Sequence, residues 1–339
     1  MTCKPASVWR RLWPVFVSAV ILALIVACNG DDPPVGPEPV EEYVVYFWDG
    51  DVPAWYYRYY PATNSVDSFK VPFETYWGYE LSADGSRLYA CGLDSVYVVD
   101  VTDSPIVVDH IPGRYRGGVA VSRDGPLIAL SGAELQILRS SDHSLVFSDT
   151  DETHSGVFSY DSRALYAVDW NAGDHWGVYR VSLDDTTDVS RKQFLSTPGC
   201  PCSPLRVVPL QDESIWLVYQ KLQTGPFDYR LELYDPLLDS VLWSQFLSPG
   251  HGDAVLTPDG RFAYVTNPGT ILHGPPPPKE IYRIDLETGQ LDATISTAAI
   301  PGPDGNRAVV IGRIAITPDG RWLVGNNNLG DWGIYRMNL

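Results

Sequence analysis

Residues 254–269 read AVLTPDGRFAYVTNPG, and this stretch decides the fold. Apolar and β-branched residues on either side of Pro258, Asp259 and Gly260 predict two short strands joined by a tight turn, since glycine accepts the positive φ that such a turn needs. The same phrase recurs, closely or loosely, five more times along the chain. Its turn aspartates are Asp84, Asp124, Asp161, Asp212, Asp259 and Asp319. Repetition at a regular interval predicts a repeat architecture.

Each repeat continues beyond the hairpin. A third strand follows, and in several repeats a polar turn and a fourth strand, as at residues 281–284 and 290–295. Four antiparallel strands at a spacing of about 40 residues are the signature of a β-propeller blade. Residues 43–71 add a partial seventh unit, because WYYRYY at 55–60 aligns with EIYRID at 280–285. The predicted fold class is all-β, a seven-bladed β-propeller of four-stranded antiparallel blades, with six or eight blades as alternatives.

The two end units are incomplete in sequence. The last one reaches only its third strand before Leu339, and the first lacks an opening strand. Because an open ring would expose apolar strand edges, we expect the two termini to pair within one shared blade.

The N-terminal segment has the features of a targeting signal rather than of a folded domain. Three basic residues precede an apolar stretch, residues 12–27, that is too short for a comfortable transmembrane helix. The sequence Ile-Val-Ala-Cys that ends at Cys28 resembles the lipobox of bacterial lipoproteins. This resemblance implies that residues 1–27 are a lipoprotein signal peptide and that Cys28 carries the lipid. We therefore expect an exported, membrane-anchored protein of the bacterial cell envelope, in the inner or the outer membrane; a plain signal peptide with an incidental cysteine is the alternative.

Composition sets the remaining organisation. Residues 28–42 are acidic and Pro-rich, and such a segment predicts an extended tether. Residues 43–339 then form the propeller. Lys and Arg total 24 against 42 Asp and Glu, so the net charge is -18. A chain this acidic repels nucleic acid, which we exclude as a partner.

The sequence carries no recognisable catalytic or cofactor motif. It has no G-x-S-x-G elbow, no H-E-x-x-H and no Gly-rich phosphate loop. Cys200 and Cys202 flank a proline, but no histidine or further cysteine lies nearby to complete a four-ligand metal site, so a plain loop or a local disulfide is favoured. We predict no metal and no cofactor.

A family resemblance rests on one repeat. Residues 264–267 read Tyr-Val-Thr-Asn, the core of the YVTN-type β-propeller repeat, and His251-Gly252 and Glu287-Thr288-Gly289 also resemble that repeat. The resemblance implies a seven-bladed propeller, often exported and often attached to the cell surface. It implies no single activity, since relatives include binding proteins and lactonase-like enzymes.

Connection lengths point to one working face. In a propeller, the turns from first to second and from third to fourth strand share one face, and all other connections lie on the opposite face. Here the long connections are residues 169–177, 196–204, 220–228, 267–279, 296–307 and 326–333. All six belong to the second kind, which predicts a binding face. Four aromatic residues in these loops are candidates for stacking on a sugar or peptide: Trp170, Trp176, Phe227 and Trp332.

The same face surrounds the mouth of the central channel. Residues just before each inner strand are expected to converge there, namely Glu80, Arg116, His154, Arg206, His251, Asp253 and Arg313. A ring of arginine, histidine and carboxylate groups can hold a small anionic ligand or polarise a carbonyl. A self-satisfied ion cluster that plugs the channel is the alternative.

Three functional hypotheses follow. The first is a lipid-anchored binding or interaction module that recognises a protein, peptide or glycan through the enlarged loop face. The second is a hydrolase or lactonase-like enzyme that acts at the channel mouth. The third is a structural protein of the cell envelope that binds no small ligand.

Overall fold

The computed structural model describes residues 44–48, 55–73, 75–115, 117–150, 153–169, 177–183, 190–194, 202–210, 215–221, 228–235, 238, 240–247, 253–267, 280–297, 311–327 and 334–339. All of them belong to the compact unit that spans residues 43–339. No helix among these residues is long and apolar enough to cross a membrane.

The described strands form seven antiparallel sheets, which are the seven predicted blades. Blade 1 contains β1 (Val45–Trp48), β2 (Trp55–Tyr60) and β3 (Ser65–Lys70). Blade 2 contains β4 (Thr75–Leu81), β5 (Arg87–Gly92), β6 (Ser95–Asp100) and β7 (Ile106–Pro112). Blade 3 contains β8 (Gly118–Val121), β9 (Leu127–Ser131), β10 (Leu135–Arg139) and β11 (Leu145–Asp149). Blade 4 contains β12 (Thr153–Phe158), β13 (Ala164–Asp169), β14 (Gly177–Ser182) and β15 (Ser190–Phe194). Blade 5 contains β16 (Cys202–Pro209), β17 (Ile215–Lys221), β18 (Asp228–Asp235) and β19 (Ser240–Leu247). Blade 6 contains β20 (Ala254–Leu256), β21 (Phe262–Asn267), β22 (Glu280–Asp285) and β23 (Leu291–Ser296). Blade 7 contains β24 (Ile311–Ile316), β25 (Trp322–Asn327) and β26 (Ile334–Asn338).

Strand order within each blade follows the sequence. The first strands of blades 2 to 7 are β4, β8, β12, β16, β20 and β24, and each contacts the next in that series. They therefore form the inner wall of the ring, and the fourth strands form its perimeter.

The repeated turn between the first and second strands is held by side chains as well as by glycine. In blade 6 the Thr257 hydroxyl donates to Asp259 Oδ1, which also accepts the backbone N–H of Arg261 at 3.0 Å. Thr257 Oγ1 in turn accepts the N–H of Phe262 at 3.0 Å, and Gly260 has a φ of 68°. Blades 2, 4 and 7 repeat the Ser/Thr-to-Asp bond. The repeated aspartate is therefore a structural residue of the turn.

Apolar residues of adjacent blades pack into shared clusters. Between blades 6 and 7, Tyr264 and Ile281 pack with Ile314 and Leu323, all at most 5% exposed. The second and third strands of blade 2 are covered by neighbouring blades on both faces, and they are therefore near-continuous buried runs rather than alternating ones.

Ring closure differs from our expectation. The described strands of blades 1 and 7 form two separate three-stranded sheets, so the termini do not share a blade within the described residues. The blades meet instead through side chains: Phe47 and Tyr59 pack on Val324, and the Arg336 guanidinium donates to the carbonyl oxygen of Pro61. Within the part of the chain that the structure describes, blades 7 and 1 therefore meet through side-chain packing and a hydrogen bond, and their sheets share no strand.

Blade 1 contains the second to fourth strands of the repeat. Arg58 on β2 pairs with Asp67 on β3, as Arg283 on the third strand of blade 6 pairs with Asp292 on the fourth. Tyr79 from blade 2 covers the inner part of this sheet. Its ring meets that of Tyr56 edge to face at 5.4 Å, and its hydroxyl donates to the backbone oxygen of Tyr46 at 2.9 Å.

Candidate functional site

A cavity of about 650 Å³ lies inside the ring of inner strands. In blades 2 to 7, each inner strand is followed by the short turn to the second strand, which opens with a Ser, Thr or Leu. The cavity wall contains the residue two positions before that opening residue in each of these strands, so these wall residues lie at one level of the channel. These six residues, which we call the channel ring, are Glu80, Ala120, Val157, Val208, Val255 and Ala315. Five of them are aliphatic and one is a carboxylate, which is exposed. At this level the described side chains are thus aliphatic apart from one acid, although polar and apolar surface contribute almost equally to the cavity wall as a whole.

Each inner strand is the edge strand of its sheet. One row of its backbone N–H and C=O groups therefore faces away from the ladder and towards the channel. The cavity wall combines aliphatic side chains with these polar backbone groups, so a ligand there can bury apolar surface and still form hydrogen bonds.

Glu80 does not lie where the sequence suggested. We expected it just before an inner strand, but it is the sixth residue of β4, next to the turn that follows. It therefore stands deeper in the channel than residues at the strand starts, and on the side of the short turns. The error arose because β4 begins at Thr75, earlier than its apolar pattern indicated.

Asp253 does precede an inner strand. Its Oδ1 accepts the N–H of Ala254 at 3.0 Å, and its Oδ2 accepts the N–H of Ile314 in blade 7 at 3.1 Å. The carboxylate thereby ties the inner strands of blades 6 and 7 together across 61 positions of sequence.

The other predicted ring residues are only partly described. His154, Arg206 and Arg313 lie within β12, β16 and β24 rather than before these strands. The ladder to the second strand shifts register beside each of them, between Thr153 and Ser155, between Pro204 and Arg206, and between Ile311 and Arg313. Such bulges redirect side chains and are common next to binding sites. Arg116 and His251 lie outside the described residues.

The long connections leave from a single rim. Their strand ends are paired residues that close the same end of each sheet: Asp169 with Gly177, Lys221 with Asp228, Asn267 with Glu280, and Asn326 with Ile334. We call this end of the ring the long-loop rim and the opposite end the short-turn rim. The predicted loop aromatics Trp170, Trp176, Phe227 and Trp332 lie outside the described residues, as do Cys28 and Cys200; Cys202 is the first residue of β16.

The short-turn rim carries ordered charges. The Arg123 guanidinium lies 4.0 Å from the ring centroid of Tyr160 in the next blade, a cation–π contact that also places Arg123 at the cavity. The hydroxyl of Ser82 and the N–H and hydroxyl of Ser86 lower the pKa of Asp84 to about 2. Equivalent bonds from Thr257 and Arg261 lower the pKa of Asp259. These carboxylates are therefore ionised structural groups rather than general acids.

Cys91 on β5 is a buried free thiol. Burial raises the pKa of the Cys91 thiol to about 12, which keeps it protonated and unreactive. No group of three His, Cys, Asp or Glu side chains there is close enough to hold a metal ion.

No protein-family model matches the chain, and no curated protein matches it. Solved structures do. Hydrazine synthase from Kuenenia stuttgartiensis is similar with a TM-score of 0.59 and 18% identity, covering 76% of this chain and 75% of that one. The Cps50 (Swd1) β-propeller domain of Myceliophteria thermophila gives a TM-score of 0.56 and 12% identity, covering 77% and 83%. The dihydro-heme d1 dehydrogenase NirN, in complex with DHE, gives 0.56 and 14%, covering 92% and 76%.

At these identities the similarity concerns the fold alone. Two of the three structures are named as enzymes and the third as a propeller domain, so the fold itself does not select an activity. The sheet order and these similarities together identify the chain as an all-β protein with the seven-bladed β-propeller fold.

Proposed function

We propose that this protein is an exported, lipid-anchored β-propeller that binds a protein, peptide or glycan partner through the long-loop rim. The observation that carries the proposal is the shared direction of the strand ends in blades 4 to 7, from which all six long connections leave. Loops on a rigid ring are the usual site of recognition, because their length and sequence vary without cost to the core.

Two further features support this rim as the working side. Four inner strands shift register near it, three of them beside His154, Arg206 and Arg313 and the fourth in β4. The opposite rim consists of short turns whose aspartates are engaged with their own backbone. The short-turn rim therefore offers a partner fewer side chains whose hydrogen bonds are not already used within the turn.

A loop exchange tests the partner proposal. Residues 268–279 are replaced by the two-residue connection of blade 2, Leu93-Asp94, and the variant is used to recover partners from solubilised cell envelope. We expect the recovered partner to be lost, whereas Glu287→Lys, a charge reversal at the short-turn rim of the same blade, should leave recovery unchanged. Equal recovery by the loop variant would contradict the proposal, provided that both variants melt as the parent does.

The proposed anchor has a separate test. Cys28→Ser should remove the lipid-bearing thiol, and the protein should then leave the membrane fraction. Retention of the variant in the membrane at the parent level would refute lipidation at this residue.

A further inference from the structure

The repeated turn of blade 3 holds its aspartate differently from its counterparts. In blades 2, 6 and 7 the turn contains an Asp-Gly pair, and Oδ1 of the aspartate accepts, at 3.0 Å, the N–H of the residue two positions later, which is Ser86, Arg261 or Arg321. Blade 3 has the same pair, Asp124-Gly125, but Pro126 follows it, and a proline has no N–H to donate. Within the described part of the chain, the exposed Asp124 carboxylate accepts no hydrogen bond.

The backbone of this turn is otherwise that of the matching turns. Gly125 has a φ of 84° and donates its N–H to the backbone oxygen of Ser122 at 2.9 Å, and Gly260 in blade 6 has a φ of 68° and donates to Thr257 at 2.8 Å. The hydroxyl oxygen of Ser122 also accepts the N–H of Leu127 at 3.0 Å, as Thr257 does with its own partner. The anchoring of the carboxylate is therefore what separates Asp124 from the aspartates of the other three turns.

An Asp-Gly pair can rearrange without any other reactant than water. The amide nitrogen of the glycine attacks Cγ of the aspartic acid side chain, so that a C–N bond forms, the bond from Cγ to the hydroxyl oxygen breaks, and the hydroxyl leaves as water with the amide proton. Water then adds to one of the two carbonyl groups of the cyclic succinimide. Opening at the side-chain carbonyl restores aspartate, and opening at the main-chain carbonyl gives isoaspartate, in which the main chain runs through the side-chain carbon.

We propose that Asp124 is a site of isoaspartate formation in the folded protein. Its side chain is free to turn towards the nitrogen of Gly125, whereas the side chains of the three matching aspartates are held away from theirs: Asp84, Asp259 and Asp319. The pairs Asp49-Gly50 and Asp304-Gly305 lie outside the described residues.

The anchored aspartates are protected in two ways. Rotation of Cγ towards the glycine nitrogen breaks the bonds to Oδ1, and in blade 2 there are three of them, from the hydroxyl of Ser82 and from the N–H and hydroxyl of Ser86. The same bonds lower the pKa of Asp84 to about 2, so the carboxylate stays ionised, and the ionised form is the poorer electrophile. Because one hydrogen bond to a charged group contributes about a factor of ten or more, we expect the anchored sites to react at least about tenfold more slowly than Asp124.

The rearrangement also has a structural consequence at the mouth of the cavity. Asp124 follows Arg123, whose guanidinium stacks on Tyr160 and contributes to the cavity wall. Isoaspartate lengthens the main chain of the turn by one carbon atom, which should separate Arg123 from Tyr160. This change lies on the short-turn rim and does not involve the long loops, so the partner proposed above and this modification can fail independently.

The experiment follows all four turns in one sample. The purified full chain is kept folded for several weeks at physiological temperature and mildly acidic pH, and is then unfolded and digested with endoproteinase Asp-N, which cleaves before aspartate but not before isoaspartate. Mass spectrometry of the fragments gives the initial rate of isoaspartate formation at each site. We expect a rate at Asp124 at least about tenfold above the rates at Asp84, Asp259 and Asp319, and similar rates at all four sites in a parallel incubation in urea.

A reciprocal exchange between two blades tests the cause. Pro126→Ser gives the turn of blade 3 the N–H that blade 2 has at Ser86, and should slow the reaction at Asp124 at least about tenfold. Ser86→Pro removes that N–H from blade 2 and should accelerate the reaction at Asp84, while the rate at Asp259 stays unchanged as the internal control. If Ser86→Pro lowers the melting temperature, Ser82→Ala, which removes a different bond to Asp84, takes its place.

Four outcomes would overturn the proposal. Equal rates at the four sites of the folded protein would mean that anchoring of the carboxylate does not matter. The same excess at Asp124 in urea would assign it to the local sequence rather than to the turn, and an unchanged rate in Pro126→Ser would show that the missing N–H is not the cause. Absence of isoaspartate at Asp124 in the folded protein, while the chain in urea forms it, would show that the turn protects this site as well.

Discussion

Gly289 tests how the blades are locked to one another. It lies in the turn between the third and fourth strands of blade 6 with a φ of 68°, a conformation that costs an alanine about 1–2 kcal/mol. A Cβ placed there would also lie 2.6 Å from Cδ2 of Trp243, which belongs to blade 5. That indole is fixed, because its Nε1 donates to the backbone oxygen of Leu286 at 3.1 Å.

A matched glycine separates the two costs. Gly260, in the same blade, has the same φ of 68°, and a Cβ there would meet no atom within 4 Å. Gly260→Ala should therefore lower the free energy of unfolding by about 1–2 kcal/mol from backbone strain alone. Gly289→Ala should cost about 1–3 kcal/mol more, the usual penalty for overpacking a filled contact.

Urea unfolding followed by far-UV circular dichroism measures both free energies, together with a double-mutant cycle between Gly289→Ala and Trp243→Ala. In the Trp243→Ala background the extra cost of Gly289→Ala should vanish, giving a coupling energy of about 1–3 kcal/mol. Equal costs for the two glycine variants, or a coupling below about 0.5 kcal/mol, would show that blade 6 does not depend on this contact with blade 5.

Three further predictions concern acid stability, ring closure and catalysis. Because bonds from Ser82 and Ser86 lower the pKa of Asp84 to about 2 in the folded state, its contribution to stability is present above pH about 4 and is lost as the pH falls towards 2; pH-dependent urea unfolding should show a smaller acid loss for Asp84→Asn than for the parent. Arg336→Ala removes the bond to Pro61 and the stacking over Trp322, and should lower the free energy of unfolding by about 1–3 kcal/mol, whereas an unchanged midpoint would mean that blades 7 and 1 close without it. If the protein is instead a hydrolase of lactones or esters, its activity must fall at least 100-fold when three residues of the predicted ring, Arg116, His251 and Arg313, are all changed to alanine. An unaffected activity would exclude these three residues from catalysis.

The sequence predicted the blades because their determinants are local. A Ser or Thr, the Asp two residues later and a Gly fix the turn within six residues, as Thr257, Asp259 and Gly260 illustrate. The aspartate of that turn recurs in blades 2 to 7, so counting it finds six blades, and the seventh is found from the similarity of residues 55–60 to residues 280–285. Strand order then follows from the short hairpins, and with it the rim from which each long connection leaves.

Non-local contacts were the part that the sequence did not reveal. The bond from Asp253 to Ile314 spans 61 positions, and that from Arg336 to Pro61 spans 275. Nothing in the pattern of apolar residues marks either pair. Glu80 was placed at the wrong level because β4 extends past a register shift between Thr75 and Tyr79, which the pattern of apolar residues does not mark.

The level of the channel ring explains how a propeller can change the side chains of its channel without losing its fold. Each ring residue stands two positions before the residue that opens the turn, so the turn bonds fix where its Cα lies whatever side chain it carries. Those bonds involve the hydroxyl, the Asp carboxylate and backbone groups, and none involves the ring side chain itself. A glutamate in blade 2 and a valine in blade 6 therefore occupy equivalent places. Because ring chemistry is uncoupled from turn geometry in this way, Val255→Ala should leave the turn bonds of blade 6 in place and change the urea midpoint only through the lost packing of its side chain. Loss of the whole blade in that variant would mean that the ring side chain belongs to the framework of the turn.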